Sequence, residues 1–158
     1  MLPTAEFHIW VPVAVTVATG MEPWAAFVHH KVWHGPLWGV HESHHVERVG
    51  YFEKNDIFAA LHALPAMALI VGSSYTAWQP LAALMFGFGL GMTIFGCAYA
   101  VIHDGLIHER LPIQFLLRFR VMRRIRGAHM RHHLNGEYPY GLFLGPQELR
   151  RAVLRGEG

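Results

Sequence analysis

The chain has 158 residues, of which 53% are hydrophobic and 15% are charged, and its formal net charge is +2. This length suits one domain of a few helices, and so small a charged fraction is unusual for a soluble domain. The single cysteine, Cys97, excludes an intrachain disulfide bond. Residues 57–102 carry no charge at all. This uneven distribution favours membrane segments joined to polar segments over a uniformly apolar globule.

Three apolar stretches are long enough to cross a bilayer, which takes about 20 residues of helix. They cover residues 7–28, 57–75 and 78–102. The first carries one charge, Glu22, and Pro23 permits a kink in it. No lysine or arginine precedes this stretch, so we expect a retained anchor rather than a cleaved signal peptide. In the third stretch Gly87 and Gly91 favour close helix packing, with room for a long ligand as the alternative.

The basic residues predict which side of the membrane the polar segments occupy. All 13 lysines and arginines lie in residues 29–56 and 103–158. Three crossings place these two segments on one side, and the positive-inside rule assigns that side to the cytoplasm. A fourth helix over residues 111–122 would lie at the interface, because it contains Arg118 and Arg120. We predict an all-α integral membrane bundle of three to four helices, forming one domain over residues 1–158 in the cytoplasmic membrane.

Histidine is the compositional outlier, with 13 residues. Ten of them form an ordered series of a pair, a triplet, a second pair and a second triplet: His29 and His34; His41, His44 and His45; His103 and His108; His129, His132 and His133. His8, His30 and His62 lie outside the series, and His8 and His62 are predicted not to bind metal. The series predicts a cytoplasmic histidine-rich cap built from residues 29–56 and 103–140, followed by a tail over residues 141–158.

The spacing within each group bears on where the imidazoles point. On an α-helix, positions i, i+3 and i+4 share one face, so each triplet can direct three imidazoles at one point. Positions i and i+5 are about 140° apart on a straight helix. The pairs therefore need a helix end where the chain turns, and Gly35-Pro36 and Pro112 supply breaking signals behind them.

This number of imidazoles predicts a metal centre. Imidazole suits iron, zinc, copper and nickel. Ten imidazoles are too many for one ion, whereas two ions could each take about five and keep positions for oxygen or water. Coordination without thiolate argues against structural zinc, which usually uses cysteine. We therefore expect two metal ions in the cap.

Four strings of residues carry a resemblance to a known family. They are His41-Glu42-Ser43-His44-His45, Phe52-Glu53-Lys54-Asn55-Asp56, His103-Asp104-Gly105-Leu106-Ile107-His108 and Ala128-His129 to His132-His133. From Gly20 to about Tyr140 the sequence resembles the bacterial β-carotene 3-hydroxylases within the membrane fatty-acid hydroxylase superfamily. The histidine groups are typical of the superfamily, and the second and third strings are typical of carotenoid hydroxylases.

The resemblance implies a function. The expected reaction is O₂-dependent addition of a hydroxyl group at C3 of the β-ionone ring, converting β-carotene through β-cryptoxanthin to zeaxanthin. It implies two non-haem iron ions held by the ten histidines, with electrons from a ferredoxin-like donor. The carotenoid would enter laterally from the bilayer, along a route for which Phe88, Phe95, Gly96 and Tyr99 are candidates, although ordinary packing explains these residues equally well.

Other functions fit parts of the same pattern. Ring ketolation, or hydroxylation or desaturation of a lipid or fatty-acid chain, would use the same metal chemistry. A non-catalytic metal-binding or metal-transporting membrane protein is an alternative of another class. Transporters usually place their ligands at the middle of the membrane, whereas these histidines lie beyond one face, which disfavours transport.

Several polar residues could orient the histidines, because a ligating imidazole usually donates its second N–H to a carboxylate or carbonyl. The candidates are Asp104, Glu42, Asn55 and Asp56. Asp104 is favoured because it directly follows a predicted ligand. Glu22 is an ionisable residue in or near the hydrocarbon, which indicates function by default. It lies seven residues before His29, on nearly the same helical face, and an interfacial position is the alternative.

A basic stretch offers a surface for a partner. It comprises Arg118, Arg120, Arg123, Arg124 and Arg126. This charge could dock an acidic electron donor by electrostatic steering, or contact the headgroups of anionic membrane lipids. No other feature supports nucleic-acid binding.

Overall fold

The computed structural model describes residues 6–156 and is helical throughout its ordered elements, with no strand in this part of the chain. The predicted all-α class is therefore confirmed. The α-helices are α1 (Phe7–Val28), α2 (Trp38–His41), α3 (Ile57–Ser73), α4 (Gln79–Ala100), α5 (Arg120–Asn135) and α6 (Gly145–Arg155). Two π-helical turns follow α1 and α4, at His29–Trp33 and Val101–Ile107. Short 3₁₀ turns lie at Glu42–His44, Lys54–Asp56 and Gln114–Arg118.

Three helical segments are long and apolar enough to cross a membrane, as predicted. They are Phe7–Trp33, Lys54–Ser73 and Gln79–Ile107, with 27, 20 and 29 residues. The first and third end later than predicted, because the π-helical turns continue the helix past the apolar stretch. The side of the membrane on which the polar segments lie stays a prediction.

The fourth helix predicted over residues 111–122 is not continuous. A 3₁₀ turn ends at Arg118, Phe119 is extended (φ −83°, ψ 131°), and α5 begins at Arg120. The Arg123 Nη1 atom donates to the carbonyl oxygens of Leu117 and Arg118, each at 2.8 Å. These bonds satisfy carbonyl groups at the end of the 3₁₀ turn, where no helical partner remains.

The chain forms two compact units. One combines residues 6–21 with residues 56–98, and the other combines residues 22–55 with residues 99–156. Residues 1–5 and 157–158, which belong to the predicted domain and tail, lie outside the described part. The prediction that residues 1–158 form a single domain remains a proposal.

In the first unit, glycines of α4 permit close approach of its neighbours. A Cβ atom on Gly87 would lie 2.6 Å from the Trp10 carbonyl oxygen, and one on Gly91 would lie 2.6 Å from that of Ala14. Between them, Gly89 lies against the backbone of Ala66 in α3. The interpretation of the glycines as packing positions therefore agrees with the structure, since α4 contacts backbone of both α1 and α3.

We expect Gly91→Ala to destabilise the protein. The added methyl group would meet the Ala14 carbonyl oxygen and the Val17 Cβ, at 2.6 and 2.7 Å, so the helices would have to separate. Overpacking of this kind typically costs about 1–3 kcal/mol. Thermal unfolding in detergent should show a lower midpoint. Gly96→Ala is the matched control in the same helix, because a Cβ there meets nothing within 4 Å, and an equal loss in the control would contradict the packing role.

The second unit has an apolar core beside its histidines. Ile102, Leu106, Ile107, Ile125 and Leu142 are buried together. On α5 the buried residues are Ile125, Ala128, His129 and His132, which share one face at helical spacing. The described part of the tail is also built into this unit, because Leu142 and Ala152 are 2% and 0% exposed.

Candidate metal centre

The ten histidines of the series converge into two groups. The first group, here called group A, comprises His29, His34, His41, His45 and His132. The second, group B, comprises His44, His103, His108 and His129. Within each group, one ring nitrogen of every histidine lies within 4.8 Å of those of the others. The tenth histidine, His133, adjoins group B, since its Nε2 lies 2.9 Å from that of His129.

The two triplets divide between the groups. His41 and His45 belong to group A whereas His44 belongs to group B, and in the second triplet only His132 joins group A. The prediction that each triplet directs three imidazoles at one point is therefore wrong. Positions i and i+4 are about 40° apart on a helix, but sequence neighbours such as His132 and His133 diverge by about 100°. Each triplet consequently serves both groups.

The two pairs converge because the helix widens at each of them. The His34 N–H donates to the His29 carbonyl oxygen at 2.9 Å, and the His108 N–H donates to that of His103 at 2.9 Å. This i→i+5 bond defines a π-helical turn and brings the two ends of the pair to one side. Their ring centroids are 5.0 and 4.8 Å apart. The predicted location at a helix end agrees with the structure, but the π-helical turn was not predicted.

Five histidines donate their Nδ1–H to an oxygen, and a carboxylate or carbonyl oxygen can only accept. His44 bonds to Glu53 Oε2 at 2.9 Å and His103 to Asp104 Oδ1 at 2.7 Å. In group A, His41 bonds to Asn55 Oδ1 at 2.7 Å, His29 to the Tyr140 carbonyl at 2.8 Å, and His132 to the Glu137 carbonyl. These bonds leave the Nε2 lone pair of each ring directed into its group.

The structure brings some of the predicted orienting residues to the histidines and adds others. Asp104 accepts a hydrogen bond from His103, and Asn55 accepts one from His41. Asp56 lies at the start of α3, Glu42 is exposed, and Glu22 accepts a backbone N–H from Leu144 at 2.8 Å.

Glu53 was missed by sequence reasoning, although it belongs to the Phe52–Asp56 string. Its side chain is only 6% exposed and pairs with both His44 and Arg110, whose Nη2 lies 3.1 Å from Oε1. The carbonyls of Glu137 and Tyr140 leave no signal in the sequence, because every residue has one.

Burial lowers the pKa of four histidines outside the membrane-spanning segments and so keeps them neutral near pH 7. It lowers the pKa of His34 and of His108 to about 3, and neighbouring imidazoles lower each pKa further. Burial also lowers the pKa of His41 and of His132 to about 4, although the hydrogen bonds that these rings donate to Asn55 and to the Glu137 carbonyl raise it. Since metal binding requires neutral imidazole, no proton has to be displaced from these rings near pH 7.

The arrangement of the Nε2 atoms fits a bound cation. The Nε2 atoms of His29 and His41 are 3.0 Å apart, and those of His44 and His103 are also 3.0 Å apart. All four rings donate through Nδ1, so these close Nε2 atoms carry lone pairs and cannot bond to each other. Two nitrogens at about 2.1 Å from one ion and at right angles would lie about 3.0 Å apart. Each group therefore has the donor set of a metal site.

Three of the five arginines of the basic stretch contact other groups of the chain. Arg123 caps the 3₁₀ turn, and Arg126 pairs with Glu109 at 3.2 Å. The Arg118 guanidinium lies 4.7 Å from the centre of the Phe119 ring. Arg118, Arg120, Arg123 and Arg124 are exposed, and Arg126 is half-buried.

Comparison with known proteins gives relatives of one kind. The fatty acid hydroxylase family model matches residues 14–147. "Beta-carotene 3-hydroxylase, chloroplastic" of Gentiana lutea is 47% identical over 152 residues, which cover 94% of this chain and 47% of that protein. "Beta-carotene 3-hydroxylase 1, chloroplastic" of Arabidopsis thaliana is 46% identical over 87% of this chain and 44% of its own length. "Beta-carotene hydroxylase" of Pseudescherichia vulneris is 40% identical over 77% of this chain and 66% of its own length.

The chain thus spans about half the length of the plant relatives that it matches. No solved structure matches it.

Proposed function

The chain belongs to the fatty acid hydroxylase family, and on that premise we propose that it hydroxylates β-carotene at C3 and C3′ of the β-ionone rings, giving β-cryptoxanthin and zeaxanthin. The observation that carries the proposal is the pair of histidine groups with facing Nε2 atoms. The substrate is suggested by the names of relatives that are 47% and 40% identical. The narrower resemblance to the bacterial enzymes stays a prediction, since plant relatives share at least as much of the sequence.

The proposal includes two non-haem iron ions. Group A would hold one, and group B with His133 would hold the other. When bound, iron activates O₂ for attack on an unactivated ring carbon, which side-chain acid–base chemistry cannot achieve. The protein keeps His34, His41, His108 and His132 neutral near pH 7. It also fixes the orientation of five of the imidazoles through their Nδ1–H bonds.

Three segments that can cross a membrane suit an enzyme whose apolar substrate is dissolved in the bilayer. Three segments can cross a bilayer, and we propose that the histidine groups and the C-terminus lie on the cytoplasmic side of the cytoplasmic membrane. Of the residues expected along the substrate route, Tyr99 belongs to the unit that holds the histidines, and its ring lies 4.8 Å from that of His103. In the first unit, an open apolar groove is lined by residues of α1 and α4 that include Trp10, Ala14, Leu90 and Ile94, and not by Phe88, Phe95 or Gly96.

Electrons would come from a ferredoxin-like donor. Four members of the basic stretch are exposed, and they suit an acidic protein surface or anionic lipid headgroups. They are Arg118, Arg120, Arg123 and Arg124.

The reaction can be tested in cells that accumulate β-carotene and supply ferredoxin and its reductase. After expression of the chain, chromatography of the pigments should show β-cryptoxanthin and zeaxanthin. Cells that accumulate lycopene, which has no ring, should show unchanged pigment. Canthaxanthin would indicate the alternative ketolase reaction. Unchanged β-carotene with well-expressed, membrane-inserted protein would refute the proposal and favour a lipid substrate.

Metal analysis of the purified protein tests the centre separately. We expect about two irons per chain. A single zinc ion with no iron would contradict the oxygenase mechanism.

A further inference from the structure

Two histidines of group A take their orientation from a loop that has no regular structure. This loop, here called the 137–144 loop, connects α5 to α6. Its Tyr140 carbonyl accepts the Nδ1–H of His29 at 2.8 Å, and its Glu137 carbonyl accepts that of His132. Since both acceptors are main-chain oxygens, the path of the loop decides where these two imidazoles point.

The 137–144 loop is itself held by two buried or partly buried carboxylates. Glu148 Oε2, on α6, accepts the N–H of Tyr140 at 3.0 Å and that of Gly141 at 2.9 Å. Glu22 Oε1, on α1, accepts the N–H of Leu144 at 2.8 Å. Without these carboxylates, three backbone N–H groups of the loop would lose their acceptors. Buried backbone N–H groups in proteins are almost always hydrogen-bonded, so the loop would have to move to find new acceptors.

Gly141 lies where both carboxylates meet the loop. A Cβ atom there would lie 2.6 Å from Glu148 Oε1 and 3.0 Å from Glu22 Oε1. The two glutamates thus enclose the same point of the backbone, next to the residue whose carbonyl orients His29.

Group B is oriented by a different part of the chain. His44 and His103 bond to the side chains of Glu53 and Asp104, neither of which belongs to the loop. A change confined to the loop should therefore act on one histidine group and spare the other.

We propose that Glu148, assisted by Glu22, is a positioning residue that holds the 137–144 loop so that its carbonyls orient His29 and His132 and thereby maintain the metal affinity of group A. This inference rests on the proposed metal centre and names a function for two glutamates that touch no histidine of either group. Loss of a residue that orients a metal ligand typically lowers metal affinity about 10–100-fold.

A general role in stability is the competing explanation. Glu148 lies in the first turn of α6, where a negative charge is favourable. That role predicts that substitution lowers the stability of the unit and affects both histidine groups alike. The positioning role predicts a loss at group A alone.

The test is the iron content of detergent-purified protein reconstituted anaerobically with limiting Fe(II). Glu148→Ala should hold about one iron per chain where the unsubstituted protein holds about two. Glu148→Gln retains an acceptor oxygen at the same place and should keep nearly two. Arg150→Ala, an exposed change on the same helix, is the matched control and should also keep two.

Double substitutions identify the site that is lost. Glu148→Ala combined with His132→Ala should still bind about one iron, because both changes act on group A. Combined with His44→Ala, it should bind almost none. Full iron content in Glu148→Ala, or equal losses from both groups, overturns the inference. If the unsubstituted protein and Glu148→Ala both bind two irons, only the positioning role of Glu148 is refuted. If the unsubstituted protein binds no iron, the proposed metal centre is refuted as well.

Discussion

Replacing His44 by alanine is expected to lower zeaxanthin formation more than about 100-fold, because loss of an orienting residue alone typically costs 10–100-fold in a metal enzyme and His44 is itself a proposed ligand. Its Nε2 lies 3.0 Å from that of His103, within a group of four imidazoles. The iron content should fall from about two towards one. Pigment chromatography in β-carotene-accumulating cells and metal analysis of the same protein measure the two effects.

The control for this substitution is another histidine. His8 belongs to neither group, and its side chain is 65% exposed. His8→Ala should therefore leave both zeaxanthin formation and iron content unchanged. Wild-type activity in His44→Ala would show that group B is not needed for the reaction, and equal losses in both variants would show that the histidine groups are not the cause.

Glu53→Ala is expected to reduce hydroxylation about 10–100-fold, the usual cost of losing a residue that orients a metal ligand. The Glu53 side chain is 6% exposed, accepts a hydrogen bond from His44 at 2.9 Å and forms an ion pair with Arg110 at 3.1 Å. Its removal leaves the His44 Nδ1–H without its acceptor and the Arg110 charge without this partner. Zeaxanthin formation per unit of folded protein is the measurement.

Two further variants separate orientation from charge. Glu53→Gln keeps an acceptor oxygen for His44 but loses the charge opposite Arg110, so an intermediate activity is expected. Glu47→Ala removes an exposed carboxylate from the same segment and should have little effect. Full activity in Glu53→Ala would contradict the orienting role, even if the protein binds iron.

Much of the fold could be predicted because it depends on local properties. Whether a segment can cross a membrane depends on its own length and hydropathy, and the three segments were found close to their observed bounds. Their ends were less predictable. The helices continue through Trp33 and Ile107 as π-helical turns, and hydropathy contains no information on that change in winding.

The sequence predicted which histidines come together in the candidate site, but not how they divide into two groups. All ten histidines of the series lie in or beside the two groups, whereas the division of each triplet between groups was not foreseen. It follows from the 100° between sequence neighbours on a helix. Glu53 was overlooked because a glutamate nine residues from His44 has no fixed spatial relation to it until the intervening segment folds.

The sequence by itself determined the three segments that can cross a membrane, the all-α class and the set of histidines that come together. Each of these depends on residue type and short-range spacing. The tertiary structure decided which histidines share a group, how the π-helical turns close the pairs, and which oxygens orient them. The clearest case is His29, whose orienting partner is the carbonyl of Tyr140, 111 residues away. No residue type marks such a partner, because a backbone carbonyl acts only where the fold brings it.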